Sequence, residues 1–417
     1  MMKLGFGKSC LTPKLGVELT GFGTFGYRRA TSVEENLYAR ATAWEIDGVR
    51  YAMIVCDLLG FTEKLSKEII SLIARNNDMK EENVLLAATH THTGPATGCL
   101  VGCGEPDFET IKELPAKVAA SVSAAFEDLA EITSVTTNEG EFPFTFAFNR
   151  QINDDIRIDP SIRTMRINRE GAKPVAIVNY SCHPVSPRAV GIITPDYPGF
   201  LCKQLEEDGF EAMYINGFCG NIDPYNTGHA GCAQNAAQLL YERSNELFDA
   251  DSEMKVDSAS VCGGNIPLEL QHVTLAEEEQ FVKDAEAKGD WPLTRMMAVC
   301  YDRSSLRLMY DPEPYTDYME FKAFRLGKAL FVFHGGEICS PFGDMIRDAF
   351  PDYTVFLAGT SFATKRYVAT EKNWDESQEM YIYEISHSCK AYGCFPIARG
   401  AGEKHFAEVI KVIKENI

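Results

Sequence analysis

Eight histidines serve a chain of 417 residues, and His90 and His92 stand one residue apart in AATHTHTGP. Residues two apart on a strand point to the same face, so this pair can converge on one ligand or substrate. Two further apolar runs end in the same way: VAIVNYSCHP delivers His183, and ALFVFHGGE delivers Glu337 three residues after His334. Imidazole nitrogens and a carboxylate from separate strand ends are what a catalytic zinc site needs, with three protein ligands and a position left for water. Bound zinc would lower the pKa of that water to about 7 and polarise a carbonyl. A single histidine at a strand end is more often hydrogen-bonded filler than a ligand. Recurrence at three strand ends is what turns the reading towards metal.

GFCGNIDPYN places Asp223 in a loop whose glycines let backbone approach a ligand closely. An Asp before Pro224 also suits plain chain turning, and the sequence leaves both roles open. Arg150, in FAFNRQIND, offers a rigid donor fork for a carboxylate or oxyanion, with a surface salt bridge as the plain alternative. His334 reads either as a donor behind the ligands or simply as the end of its strand. His229, His272, His387 and His405 lie in polar or helical contexts and receive no role. Cys99 and Cys103, in CLVGCG, read as small buried hydrophobes, because no second close pair with ligand spacing accompanies them.

Holding such groups takes a sheet-based frame. LYARATAWEIDGVRYAMIVCDLLG reads as a hairpin turned at IDGV. The helical spacing of EKLSKEIISLIARNN followed by NVLLAATH makes a strand–helix–strand unit. His90 and His92 then fall at the carboxyl end of a strand, where α/β folds place their ligands. A helix within ELPAKVAASVSAAFEDLAEI, strands at ITSVTTNEG, IRTMRIN and PVAIVNY, a helix from Asp196 to Asp208, the strand AMYING and a helix in AGCAQNAAQLLYERSNELF follow. ALFVFHGGE and YTVFLAG return to core-like strands. The expected fold class is α/β, with mixed β-sheets and flanking helices. Residues 1–417 are expected to form one catalytic domain, with a more polar, less periodic segment at about 255–320 covering one face.

Hydrophobic residues make up 45% of the chain and charged residues 24%, the usage of an ordinary globular protein. The net charge of −20 repels phosphates and anionic surfaces, which sets aside nucleic acid and stable membrane association as partners. The N-terminus shows no cationic segment followed by an apolar core and cleavage site, and no apolar stretch reaches spanning length. Thirteen cysteines, an odd number scattered along the chain, fit free thiols in a reducing compartment. The expected address is cytoplasmic and the expected partner a small-molecule substrate.

Several blocks in order resemble the catalytic domain of the neutral (alkaline, non-lysosomal) ceramidases and their shorter bacterial relatives. They are GFGKSCLTPKLGVELTGFG, LYARATAWE, VCDLLG, NVLLAATHTHTGP, FNR, CHP with TPDYPG, GFCGNIDPYN, HGGE and RYVAT. The resemblance runs along most of the chain and is weakest at about 255–320. It implies a zinc amidohydrolase with one zinc per chain, held by His90, His183, Glu337 and Tyr367, the phenol being a ligand that the residues alone do not announce. His92 and Arg150 would sit beside the zinc, orienting substrate or stabilising developing negative charge.

Two departures from the family pattern shape the expected chemistry. Asp223 stands where ceramidases carry a serine tied to catalysis, and a carboxylate can accept a proton from zinc-activated water. The chain is also expected to lack the C-terminal β-sandwich of the long ceramidases. A small, more polar amide or acyl substrate is therefore expected in place of a two-chain lipid. Ceramide hydrolysis is the alternative activity, and a binding protein that has kept the fold without catalysis is the alternative of another class. Iron and manganese suit the same donors as zinc.

Overall fold

The side chains of a strand alternate between its two faces, so a strand packed on both sides must be apolar throughout. ALFVF is such a strand. The computed structural model describes residues 2–23, 28–142, 146–151, 160–186, 191–225, 227–250, 252–374, 383–386 and 388–417. His387 lies outside the described residues.

The larger sheet has eight strands: β1 (Met2–Cys10), β2 (Tyr38–Ile46), β3 (Val49–Cys56), β4 (Val84–Ala88), β5 (Ala130–Glu141), β6 (Ser161–Arg169), β7 (Ala172–Tyr180) and β8 (Glu211–Asn216). Their order in space is β8-β7-β6-β5-β1-β2-β3-β4. A four-stranded sheet, β9 (Ala259–Glu269), β10 (Thr316–Leu326), β11 (Ala329–His334) and β12 (Thr354–Ala358), keeps its chain order in space. Both sheets are mixed: β3–β4, β7–β8 and β11–β12 pair in parallel, the other neighbours antiparallel. The expected hairpin is β2–β3. Asp47 and Gly48 turn it with φ of 50° and 81°, the positive values that a tight two-residue hairpin loop demands.

The strand–helix–strand unit is β3, α1 (Glu63–Asn76) and β4. Thr62 caps α1 by accepting from the Leu65 amide, and Leu65, Ile69, Ile70 and Ile73 turn inward. Helix α2 (Phe108–Glu127) lies directly on β1, where a Cβ on Gly5 would come within 1.8 Å of the Ala125 carbonyl oxygen. Helices α3 (Asp196–Glu207) and α4 (Cys232–Phe248) cover the other half of the sheet through Leu201, Leu205, Ala237 and Leu240.

Residues 255–320, expected to be less regular, are in fact largely regular. They hold β9, α5 (Leu275–Lys288), α6 (Trp291–Tyr310) and the start of β10. The weak periodicity has a physical cause: β9 is an edge strand with half-exposed side chains, and α5 buries only Glu278 and Ala285. End signals mark these helices better than periodicity does. Thr274 and Glu277 form a capping box, Gly289 ends α5 at φ 67°, and Asp290 caps α6.

The two sheets pack face to face. Phe331, Phe333 and Phe356 join Trp44, Met53 and Leu85 in one core. Alternate residues Leu330, Val332, Val355 and Leu357 meet Phe342 and Ile346 of α7 (Pro341–Ala349) and Phe406 and Val409 of α8 (Ala401–Asn416) in another. Full burial of one such phenylalanine stabilises by roughly 2 kcal/mol. Among the described residues no helix is long and apolar enough to cross a membrane. The thirteen cysteines are all free thiols.

Candidate metal centre

The candidate residues lie past the carboxyl ends of β4, β7 and β11, one strand end for each of His90, His183 and Glu337. His90 holds φ at 69°, a left-handed conformation that a non-glycine residue keeps only where its surroundings enforce it. Its amide donates to the Leu58 carbonyl at 2.9 Å, and its ring Nδ1 lies 2.7 Å from the Leu59 carbonyl oxygen. The His183 Nδ1 likewise lies 3.1 Å from the Ile222 carbonyl oxygen. A carbonyl oxygen only accepts, so each neutral ring carries its proton on Nδ1 and presents Nε2 as a lone pair.

Both Nε2 atoms meet Glu337 Oε2, at 3.2 Å from His90 and 3.1 Å from His183. Glu337 is carried there by Gly335 and Gly336. Gly336 has φ of 139°, and a Cβ on it would stand 3.0 Å from the Arg366 carbonyl oxygen. Glu337 pairs in register with Tyr367 in a short parallel ladder, Glu337–Ile338 against Tyr367–Val368, which brings the Tyr367 hydroxyl 3.4 Å from His183 Nε2. Burial would push the Glu337 carboxyl up, but the two imidazoles hold it well below the usual carboxylate range. Burial, then the Glu337 charge, pushes the Tyr367 phenol well above its ordinary value. Two imidazole nitrogens and a carboxylate oxygen at these distances are held together by a shared proton or by a cation between them. This donor set, with a phenol beside it, fits a divalent metal.

Among the described residues, His90, His92 and His183 form a group whose ligand atoms lie within 4.8 Å of one another. His92 differs from the other two. It is half-buried, and its Nδ1 accepts the Phe22 amide at 3.3 Å, so the proton of the neutral ring sits on Nε2. That Nε2 lies 3.3 Å from His90 Nε2. Burial, then the His90 and His183 rings, push its imidazolium well below the ordinary value and keep it neutral. His92 thus offers a donor where its neighbours offer lone pairs.

Arg150 follows the short strand Ala147–Asn149, which pairs with Ile222–Pro224 and so brings Arg150 to Asp223. Its Nη1 donates to Asp223 Oδ1 at 3.1 Å, its Nη2 to the Tyr367 hydroxyl at 3.0 Å and the Gly220 carbonyl at 2.9 Å, and its Nε to Glu384 at 2.8 Å. Burial opposes the charge, but Tyr367, Asp223 and Glu384 hold the guanidinium well above its ordinary pKa. Asp223 Oδ1 also lies 3.6 Å from His183 Nδ1. The structure therefore brings all seven singled-out residues to one place, and Asp223 there does more than turn the chain.

Two neighbours carry no signal in the sequence. The Tyr392 hydroxyl donates to Glu337 Oε1, and Glu384 anchors Arg150. Both come from short helical turns, Ser388–Tyr392 and Tyr383–Ser386, with no apolar run or glycine loop to flag them. His334 does not stand behind the ligands: its Nε2 lies 2.7 Å from His405 Nε2, on the opposite face of β11. Cys99 and Cys103 are buried free thiols, and burial pushes them up to about 12 and about 11.

No family model matches the chain. A curated neutral ceramidase of Mycobacterium tuberculosis is 25% identical over 244 residues, which are 52% of this chain but only 38% of that protein. The crystal structure of neutral ceramidase from Pseudomonas aeruginosa superposes with a TM-score of 0.77 at 18% identity, covering 99% of this chain and 74% of that one. A ceramidase complexed with C2 gives a TM-score of 0.76 at 18% identity over 99% and 75% of the two chains. The chain is thus similar in sequence to a neutral ceramidase and has the mixed α/β fold of the neutral ceramidase structures.

Proposed function

We propose that this protein is a metal-dependent hydrolase of an amide or related acyl bond in a small, polar substrate, with one zinc per chain. The observation that carries the reading is the convergence of His90 Nε2 and His183 Nε2 on Glu337 Oε2, with both Nδ1 protons fixed on main-chain carbonyls. His90, His183, Glu337 and Tyr367 would hold the metal. When bound, it supplies Lewis acidity, acidifying water and polarising a carbonyl.

The remaining steps belong to the chain's own residues. His92, its Nδ1 occupied by the Phe22 amide, aims an N–H at the oxygen of the bound acyl group, where negative charge develops. Arg150 orients the Tyr367 phenol and the Asp223 carboxylate from one guanidinium. Asp223 takes the proton of the attacking water and returns it to the leaving amine, the role a serine cannot fill. Thirteen free cysteines support a reducing, cytoplasmic setting.

A panel of small amides and esters, offered to the zinc-loaded chain and to His183→Ala, tests the proposal. Turnover by the parent and none by the variant is expected; turnover that survives His183→Ala refutes it. The likeness to ceramidases favours ceramide as a second reading. Hydrolysis of short-chain ceramide in detergent, faster than that of any small amide in the panel, would establish it.

A further inference from the structure

Among the described residues five arginines are buried: Arg28, Arg40, Arg163, Arg169 and Arg366. Four of them hold a carboxylate, Arg40 with Asp57 at 2.8 Å, Arg163 with Glu139 at 2.7 Å, Arg169 with Asp128 at 2.5 Å and Arg366 with Asp317 at 2.5 Å. Arg28 is the exception. It is 9% exposed, and no carboxylate of the described residues reaches it. Its Nη2 donates to the main-chain carbonyls of Thr20, Gly21 and His92 at 2.5, 3.0 and 3.1 Å, while its Nη1 is buried with no hydrogen-bond partner. Phe22 lies under the guanidinium at 5.0 Å. Burial lowers its pKa to about 10.

A guanidinium remains charged under all ordinary conditions, and a buried charge without a counter-charge is strongly unfavourable. Each of the other four buried guanidiniums has an acid of the chain beside it, and among the described residues Arg28 is the exception. Its location is specific. The nitrogen that is satisfied grips the main chain of His92, the residue whose ring faces the metal centre, and the nitrogen that is not has two free N–H groups.

We propose that Arg28 is the anion subsite of this centre and that the substrate is a small acyl amide bearing a carboxylate, bound at Nη1 while His92 faces its acyl group. The proposal rests on the hydrolase reading and narrows it to a substrate class. It also gives the −20 chain a reason to hold a buried cation that no carboxylate of the described residues neutralises.

The test is calorimetric titration of the zinc-loaded full chain with N-acylglycines of two to eight acyl carbons and with the matched uncharged N-acylglycinamides, at fixed ionic strength. The same pairs are titrated into Arg28→Gln, and carboxylic acid release is followed in parallel. The parent chain should bind the acids at least about ten-fold more tightly than the amides, as a charge-assisted bond in a buried site implies. Arg28→Gln should level the two by weakening the acids alone. Equal affinities in the parent, no binding of either ligand, or a preference that persists in Arg28→Gln overturns the subsite. The first two outcomes need no variant, so a folding failure of Arg28→Gln leaves the proposal falsifiable. Preference for the acids without acid release would keep the subsite and remove the hydrolase reading; release from both ligands without preference would do the reverse.

Discussion

The inner wall of the centre and its outer edge are finished differently. At the inner wall each ring nitrogen that faces away from Glu337 ends on a main-chain carbonyl, Leu59 for His90 and Ile222 for His183, and Glu337 Oε1 takes the Tyr392 hydroxyl. The His90 and His183 Nε2 atoms are left pointing inward at Glu337. At the outer edge His92 is half-buried with its N–H turned to the centre, and Arg28 leaves Nη1 unmatched. Under the proposed function, the inner-wall bonds would fix the orientation and protonation of the ligands before a metal binds. Under the same reading, the donors at the outer edge are the ones offered to substrate.

Removing the inner wall should have the largest effect. His183→Ala deletes one lone pair and leaves Glu337 facing His90 alone, so both stoichiometric metal and turnover should disappear while the fold persists, checked by metal analysis and circular dichroism. The next test concerns a matched buried cation. Asp57→Ala removes the 2.8 Å partner of Arg40 and leaves, among the described residues, Glu206 at 3.5 Å. Stranding that charge should cost about 3 kcal/mol in denaturant unfolding. A loss within 1 kcal/mol of zero would break the contrast between matched and unmatched arginines.

Tyr392→Phe keeps the ring and removes only the bond to Glu337 Oε1. Metal affinity should fall by roughly 10- to 100-fold, the usual effect of losing a group that holds a ligand in place, measured by competition with a chelator. Asp196 supplies a pH test away from the ligands. Burial raises its carboxyl to about 6, opposed by bonds from the Tyr197 and Ser186 amides. A raised acid pKa means that the folded state binds a proton the unfolded state has released. Stability from this group is therefore present at low pH and declines as pH rises between about 4 and 6, by on the order of 2 kcal/mol. Asp196→Asn should flatten that slope in thermal melts. The smallest effect is expected for Arg28→Met. Deleting a cation that has no counter-charge among the described residues should change stability by less than about 1 kcal/mol, because lost carbonyl bonds and relieved desolvation oppose each other.

Much of the inner wall is legible in the sequence because strand ends are. His90, His183 and Glu337 follow runs so apolar that their burial and direction are set locally, and ALFVF is apolar throughout because both faces of β11 are packed. Tyr367 is visible only through its family block, since its place depends on a two-residue ladder with Glu337. Tyr392 and Glu384 leave no local trace: their side chains reach the site from short turns brought there by tertiary packing. His334 misleads because it shares a strand end with Glu337 but belongs to the opposite face. That Arg28 is unpaired cannot be read from GYRRA at all, since pairing is a property of what the fold brings near it. In residues 255–320 the caps at Thr274, Gly289 and Asp290 outlast the weak periodicity as signals.

Elemental analysis of the purified, tag-free chain, before and after incubation with zinc, tests the metal centre most directly. About one zinc per chain, absent from His183→Ala, is the expected result. A parent chain that takes up no metal would contradict it and leave the convergence of His90, His183 and Glu337 as scaffold.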